Sequence, residues 1–332
     1  MNARMAVLGN GGFGTAMALA MQRRGHAVSL WGHDPVYTAQ IAATRQNPRY
    51  LDGFPLPDAI RITHHAAEVL ARADVVLLAV PTQHVRAVLT AVAAHVPAAV
   101  PVVSLAKGLE QRSGRRPSEI VAEVLGGGER VFVLSGPSHA EEIARDLPTT
   151  VVLAGQDDGR LRRLQSLLTT PTFRVYRNED VIGTELCGAL KNVMALAAGI
   201  ADGLGYGDNA KAAILSRGIV EMLRFGTGCG ADPRTFAGLA GVGDLAVTAF
   251  SRHGRNRAFG ERIGRGETLA EALAASPKVA EGVWTSRVVV EQAAARGVEM
   301  PIAGAVVRVL YEGLSPRDAV RELMERDPKP EA

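Results

Sequence analysis

The chain has 332 residues, 47% hydrophobic and 21% charged, an ordinary globular balance with room for about two domains. Its 37 basic and 34 acidic side chains leave a net charge of +3, too mild for a nucleic-acid surface and suited to a small anionic substrate. Two cysteines, Cys187 and Cys229, make no CxxC or Cys/His spacing, so a metal motif and a disulfide framework are set aside and a reducing, cytoplasmic home fits.

Residues 5–22 carry no charge and contain Ala-x-Ala after Arg4, which resembles a signal peptide or a membrane span. Gly9, Gly11, Gly12 and Gly14 fall inside this run. They break a continuous apolar helix and make better sense as a turn between a strand and a helix. No other uncharged apolar run approaches spanning length, so no stable membrane insertion is expected.

"RMAVLG" reads as a strand, "GTAMALAMQRRG" as a helix ending at Gly25, and "AVSLW" as a second strand. "ADVVLLAVP", "VPVVSLAKG", "RVFVLSG", "PTTVVLAG" and "FRVYRN" follow as further β-like runs. Val75 to Val80 is apolar without alternation, the mark of parallel strands covered on both faces. The expected fold is therefore α/β: an N-terminal Rossmann-type doubly wound sheet over residues 1–183. Beyond that point β-branched runs become rare. Helices are predicted over 184–201, 209–228, 255–264, 268–275, 282–295, 302–312 and 315–326. Residues 184–332 form an all-α C-terminal domain in this reading, and its apolar helices could supply a homodimer surface.

"GNGGFG", residues 9–14, is a G-x-G-x-x-G between a strand and a helix. In that context Gly9 permits the tight turn, Gly11 the approach of a pyrophosphate, and Gly14 close helix–strand packing. The helix N-terminus then faces the phosphates. An acid about twenty residues on would take the ribose hydroxyl of NAD. Asp34 has that distance but falls in a turn before Pro35, with His33 and Arg45 nearby. The choice between NAD and NADP stays open here. The strand ends "LLAVPTQHV", "SLAKGLE" and "LSGPSHAEE" carry small or polar groups, Lys107 among them, to the carboxyl edge where such sheets bind ligands.

"LCGALKNVMALAAGI", residues 186–200, is an apolar helix with Lys191 and Asn192 in its middle. A helix apolar all round is normally buried. Burial favours the neutral amine, a base suited to proton abstraction, whereas snorkelling to the surface would leave Lys191 without chemistry. Asp244, in "GLAGVGDLAVT", would either cap a helix or orient Lys191. "GRNR" at a predicted helix start offers backbone N–H groups, Asn256 and a guanidinium, a suitable phosphate pocket.

With these stretches together, the chain resembles the bacterial NAD(P)-dependent glycerol-3-phosphate dehydrogenases of phospholipid precursor synthesis. The resemblance runs from "VLGNGGFGTAMA" to "VEMPI" through "LWGHDP", "AKGLE", "SGPSHAEE", "TELCGALKNVMALAAGIADGLGYGDNAKAA", "GVGDL", "GRNRAFG" and "VAEG". It implies that Lys191 takes the substrate's hydroxyl proton, that Lys107 contacts substrate and cofactor, and that Asp244 supports Lys191 and the substrate. It implies that Gly136 and Ser138 line the substrate site, that Arg255 and Asn256 hold the phosphate end beside Gly254, and that Arg255 also nears the cofactor. Gly12, Phe13, His33, Ala140, Val279 and Glu281 match cofactor positions. NAD or NADP would be the cofactor, a small phosphorylated molecule the substrate, and no nucleic acid is expected. Gly12, Ser138 and Gly254 depart from the family pattern, which often has a small polar residue, Thr and Ser there. Gly12 and Gly254 each remove a possible hydroxyl donor. Two rivals share features of this layout: dehydrogenases of 3-hydroxy acids and sugar acids, and a non-catalytic nucleotide sensor. Lys191, Lys107 and Asp244 occurring together argue against the sensor.

Overall fold

The computed structural model of the chain describes residues 2–251, 254–275, 280–328 and 330. They group into two compact units: residues up to Lys107 with Arg115–Glu185, and Gly108–Gly114 with the residues from Leu186 onward. The sequence places the boundary after residue 183. Here it falls after Glu185, and the loop Gly108–Gly114 groups with the later unit.

Unit 1 is built on one sheet of eight strands among the described residues: β1 (Arg4–Leu8), β2 (Ala27–Trp31), β3 (Arg61–Thr63), β4 (Val75–Leu78), β5 (Val102–Ser104), β6 (Val131–Ser135), β7 (Thr149–Ala154) and β8 (Phe173–Asn178). Their order is β3-β2-β1-β4-β5-β6-β7-β8. Every neighbouring pair is parallel except β6 with β7. The first six strands thus follow the order of a dinucleotide-binding sheet. β3 is not expected from the sequence, because Arg-Ile-Thr is too short to show a period. Helices α1 (Gly12–Arg23), α2 (Pro35–Thr44), α3 (Ala66–Leu70), α4 (Thr82–Val92), α5 (Pro117–Leu125), α6 (Ala140–Ala144) and α7 (Asp158–Leu168) complete the unit.

Unbroken apolar runs become strands here because both sheet faces are covered. Met5, Val7, Val75 and Leu77 pack with Met17, Met21 and Leu161 on one side. Ala6, Leu8, Val76 and Leu78 pack with Val85, Leu89 and Ile120 on the other. In the central strands successive residues alternate in direction and find apolar partners either way.

In unit 2, helix α8 (Val181–Gly203) continues from unit 1 and is followed by α9 (Asp208–Gly228), α10 (Pro233–Phe236), α11 (Asp244–Phe250), α12 (Arg255–Gly264), α13 (Leu269–Ala274), α14 (Glu281–Ala295), α15 (Pro301–Tyr311) and α16 (Pro316–Met324). By length and composition alone α8 could cross a membrane, but 83% of its most apolar window is buried inside the protein. It is a core helix, and glycines let another helix touch its backbone. A Cβ on Gly199 would lie 2.0 Å from the Arg257 carbonyl oxygen, and one on Gly203 2.2 Å from that of Glu261. From the other side, Cβ atoms on Gly260 and Gly264 would lie 2.2 and 2.3 Å from the carbonyls of Leu196 and Ile200. Paired glycines four residues apart thus bring α8 and α12 into main-chain contact that no side chain would permit.

Two buried glutamates cap helices remote in sequence. Glu185 accepts from the Ser118 amide at 2.8 Å and from Arg116 Nη1 at 2.8 Å, at the start of α5. Glu221 accepts from the amides of Ile302 at 2.7 Å and Ala303 at 3.2 Å. Met300, the N-cap of α15, has no side-chain cap of its own, so Glu221 on α9 satisfies these orphan donors.

Burial outweighs those two amide bonds and pushes the Glu221 carboxyl up from 4.5 to about 7. The folded state therefore holds this proton more tightly than the unfolded chain. The contribution to stability is complete below about pH 4.5 and is lost as pH rises through about 7. Glu221→Gln cannot ionise. In urea unfolding, the variant should gain about 3 kcal/mol on the native chain between pH 5 and pH 8; a pH-independent difference would show that Glu221 does not titrate in this range.

Candidate active site

The glycine turn separates packing from openness. Gly9 has φ of +115°, and a Cβ there would lie 2.5 Å from the Ala79 carbonyl oxygen. A Cβ on Gly14 would lie 2.0 Å from the Gly9 oxygen. Both positions are closed by the protein itself. A Cβ on Gly11 would meet nothing within 4 Å. Gly11 is also the N-cap of α1, with no side-chain cap. An open glycine beside an uncapped helix N-terminus fits a dinucleotide pyrophosphate. Phe13 packs on the core beneath.

Gly12 has a local reason to be glycine. A Cβ there would lie 2.8 Å from the Tyr50 main-chain oxygen and 3.8 Å from the Ala140 Cβ. This juxtaposes two expected cofactor positions, Gly12 and Ala140, and a hydroxyl-bearing side chain at 12 would require the Tyr50 segment to move. The turn is pinned by Asn47, which the sequence did not single out. Asn47 Nδ2 donates to the Asn10 carbonyl at 2.9 Å and to Thr15 Oγ1 at 2.8 Å. Tyr37 Oη donates in turn to Asn47 Oδ1 at 2.6 Å.

At the end of β2, Asp34 is a helix cap. Its Oδ1 accepts from the amides of Val36 at 3.0 Å and Tyr37 at 3.1 Å, with Pro35 in the first turn of α2. His33 beside it is exposed. Arg45 is committed elsewhere: it donates to the carbonyls of Leu56 at 3.0 Å and Ile60 at 2.8 Å, and to that of Pro57.

Beyond β5, Lys107 Nζ donates to the Gly136 carbonyl at 2.9 Å and to Ser138 Oγ at 3.4 Å. Ser138 Oγ also donates to the Gly136 oxygen at 2.8 Å. Three expected residues from two strand ends therefore share one hydrogen-bonded cluster. Gly136, at φ +122°, adopts a conformation open chiefly to glycine.

In unit 2 the side chains of Lys191 and Asp244 meet. Lys191 is 7% exposed and Asp244 1%, and Lys191 Nζ lies 2.8 Å from Asp244 Oδ1. The lysine does not snorkel. Nζ also donates to Thr248 Oγ1 at 2.7 Å, and that hydroxyl donates to the Asp244 carbonyl at 2.6 Å. Thr248 escaped the sequence reading; its one signal was a spacing of four from Asp244, one turn along a helix. The "GLAGVG" stretch forms a π-helical turn at Leu239–Gly243, followed directly by Asp244 at the start of α11. Asp244 therefore occupies the first helical turn, with its carboxylate on Lys191.

At the start of α12, Gly254 is the N-cap, without a side-chain cap. A Cβ there would lie 2.7 Å from the Thr248 carbonyl oxygen, so this loop accommodates glycine and not serine. Arg255 is exposed and has no ion pair among the described residues. Arg257 is spent on Asp202 at 2.7 Å. Asn256 Nδ2 donates to Asn192 Oδ1 at 2.9 Å, and its Oδ1 accepts from the Gly282 amide at 2.9 Å. One Nδ2 hydrogen remains for a ligand. Glu281 is buried at the start of α14. Val279 lies outside the described residues.

A Rossmann-ordered sheet with an open glycine turn, on a chain that also carries a buried lysine–aspartate pair, defines a nicotinamide-dependent dehydrogenase. The chain belongs to the NAD-dependent glycerol-3-phosphate dehydrogenase family. The N-terminal model of that family matches residues 4–160 and the C-terminal model residues 180–321. The chain is 46% identical to a glycerol-3-phosphate dehydrogenase [NAD(P)+] of Chlorobium limicola, over 98% of this chain and 99% of that one. It is 47% identical to that of Geobacillus kaustophilus, over 98% and 96%. A crystal structure of glycerol-3-phosphate dehydrogenase from Coxiella burnetii superposes with a TM-score of 0.93 at 38% identity, covering 98% and 99%.

Substitution separates the roles of the glycines. Gly11→Val should leave thermal stability unchanged and abolish NADH binding, because the side chain fills only ligand space. Gly9→Ala should lower stability, because its Cβ strikes main chain. Retained nucleotide affinity in Gly11→Val, measured by fluorescence titration, would remove the pyrophosphate from this turn.

Proposed function

We propose that this chain is an NAD(P)-dependent sn-glycerol-3-phosphate dehydrogenase that interconverts dihydroxyacetone phosphate and sn-glycerol 3-phosphate for glycerophospholipid synthesis in the cytoplasm. The observation that carries the reading is the buried Lys191–Asp244–Thr248 cluster on a chain with an open dinucleotide turn. When bound, the nicotinamide gives up a hydride in reduction and receives one in oxidation.

Lys191 Nζ is the proton-handling atom. In reduction its ammonium gives a proton to the substrate's carbonyl oxygen. In oxidation its neutral amine takes the proton from the hydroxyl as the C–H bond breaks. Asp244 and Thr248 hold Nζ in place, and the Asp244 carboxylate favours the ammonium while burial opposes it. Gly11 and the first turn of α1 hold the pyrophosphate, with Gly9 and Gly14 shaping the turn. Gly12, Phe13, His33, Ala140, Val279 and Glu281 are further cofactor positions. Lys107, with Gly136 and Ser138, contacts the substrate. The α12 start, with Gly254, Arg255 and Asn256, receives the phosphate end through amides, a guanidinium and the remaining carboxamide hydrogen.

The test follows loss of NADH and of NADPH absorbance with dihydroxyacetone phosphate and with unphosphorylated dihydroxyacetone. Turnover is expected only with the phosphorylated ketone. A folded protein that binds nucleotide but turns over neither ketone would overturn the substrate assignment. Lys191→Ala should cut kcat by about 10²- to 10⁴-fold and leave NADH binding intact. Oxidation should accelerate from neutral to alkaline pH, since Lys191 must be neutral to accept a proton; a flat profile would remove Lys191 from that role.

A further inference from the structure

The expected reader of the NAD ribose, Asp34, is tied into its own helix. Its Oδ1 accepts both the Val36 and Tyr37 amides, and it stands three residues beyond the last residue of β2, Trp31. That use commits Oδ1 to the start of α2.

A cation stands beside that helix start. The Arg49 guanidinium lies over the Tyr37 ring, 4.1 Å from its centroid, and 6.0 Å from that of Tyr50. The Arg49 amide donates to Tyr37 Oη at 3.1 Å. Tyr37 is in the first turn of α2 and next to the Asp34 cap. Asn47, two residues before Arg49, grips the glycine turn. Arg49 is therefore placed between the pyrophosphate turn and the end of β2, where the adenosine ribose of a bound dinucleotide falls. The side chain is exposed, and among the described residues no carboxylate pairs with it. Stacking fixes the plane of the guanidinium and leaves its N–H edge for a second ligand.

We propose that Arg49 reads the 2′-phosphate of NADP and that Asp34 does not read the ribose of NAD. The inference rests on the dehydrogenase reading above and deepens it: the chain binds NADPH more tightly than NADH. A guanidinium stacked on a ring matches a phosphate dianion through paired N–H donors. An arginine near the end of β2 is a recognised way to accept the extra phosphate.

The experiment measures dissociation constants by fluorescence titration and calorimetry, with no ketone or alcohol present, for NADPH, NADH, 2′,5′-ADP and 5′-AMP. Arg49→Gln should weaken NADPH and 2′,5′-ADP by about tenfold or more and change NADH and 5′-AMP by less than about twofold. Arg49→Lys, which keeps the charge but not the planar fork, should fall between. Asp34→Asn keeps the cap and should leave NADH binding unchanged. Equal losses for both nucleotides, or none, would overturn the assignment of Arg49. A tenfold loss of NADH affinity in Asp34→Asn would make Asp34 the ribose reader after all. These outcomes are independent of which ketone is turned over, so a protein active on dihydroxyacetone phosphate can still fail them.

Discussion

Unit 2 depends on burying α8 with its backbone in direct contact with a neighbour. Gly199 and Gly203 on α8 face Gly260 and Gly264 on α12, and Gly282 at the start of α14 would carry its Cβ 2.5 Å from the Asn192 oxygen. Helices that approach this closely have little freedom to rotate or slide, because interiors are close-packed. The approach sets where the α12 start stands against Lys191 and Asn192. The Asn256 carboxamide, bridging Asn192 and Gly282, then ties three helices at one point. A lysine in the middle of such a helix is tolerable because Asp244 and Thr248 meet it. Burying an unpaired charge would cost several kcal/mol.

Three buried carboxylates are retained where they meet a cation or the donors that a helix start leaves over. Asp244 meets an ammonium, Glu185 the start of α5 and Glu221 the start of α15. For Glu185 as for Glu221, burial outweighs the bonds it makes and pushes the carboxyl up. These groups act in pairs with helix ends, so their energetic effect depends on partners far away in sequence.

That dependence explains what the sequence disclosed and what it withheld. Seven strands were legible, the central ones because both faces of the sheet are apolar there and each shows as an unbroken run, and the edge strand β8 because Phe173 and Val175 alternate with exposed residues. β3 was not, because three residues carry no period and Ile62 alone is apolar. The helices of unit 2 were legible in position, with ends displaced by a few residues. The short helix α10 before the π-helical turn was not, and "GLAGVG" itself reads as a loop until Gly241 is seen against the Phe236 carbonyl, where a Cβ would sit at 2.0 Å. Within the site, Lys191 and Asp244 stood out as charges in apolar surroundings. Thr248 and Asn47 did not, because a threonine in a helix and an asparagine before a proline have ordinary uses, and only tertiary contact assigns these two to Nζ and to the glycine turn. The sequence suspected that Asp34 lay in a turn; the cap geometry gives the reason.

The antiparallel step between β6 and β7 has a wider consequence. It reverses chain direction inside an otherwise parallel sheet, so the carboxyl ends of β7 and β8 face away from the edge that carries the glycine turn and Lys107. The connection from β6 to β7 need not cross the sheet. It stays at the binding edge, which is how so short a helix as α6 comes to lie on α1 with Ala140 near Gly12. The last two strands widen the hydrophobic platform and bring only the segment at residues 169–172, between α7 and β8, back to the edge where β7 begins. The turn after β7, at residues 155–157, accordingly belongs to the far rim, a place where a spectroscopic label could be attached to follow the sheet while the nucleotide edge is left alone.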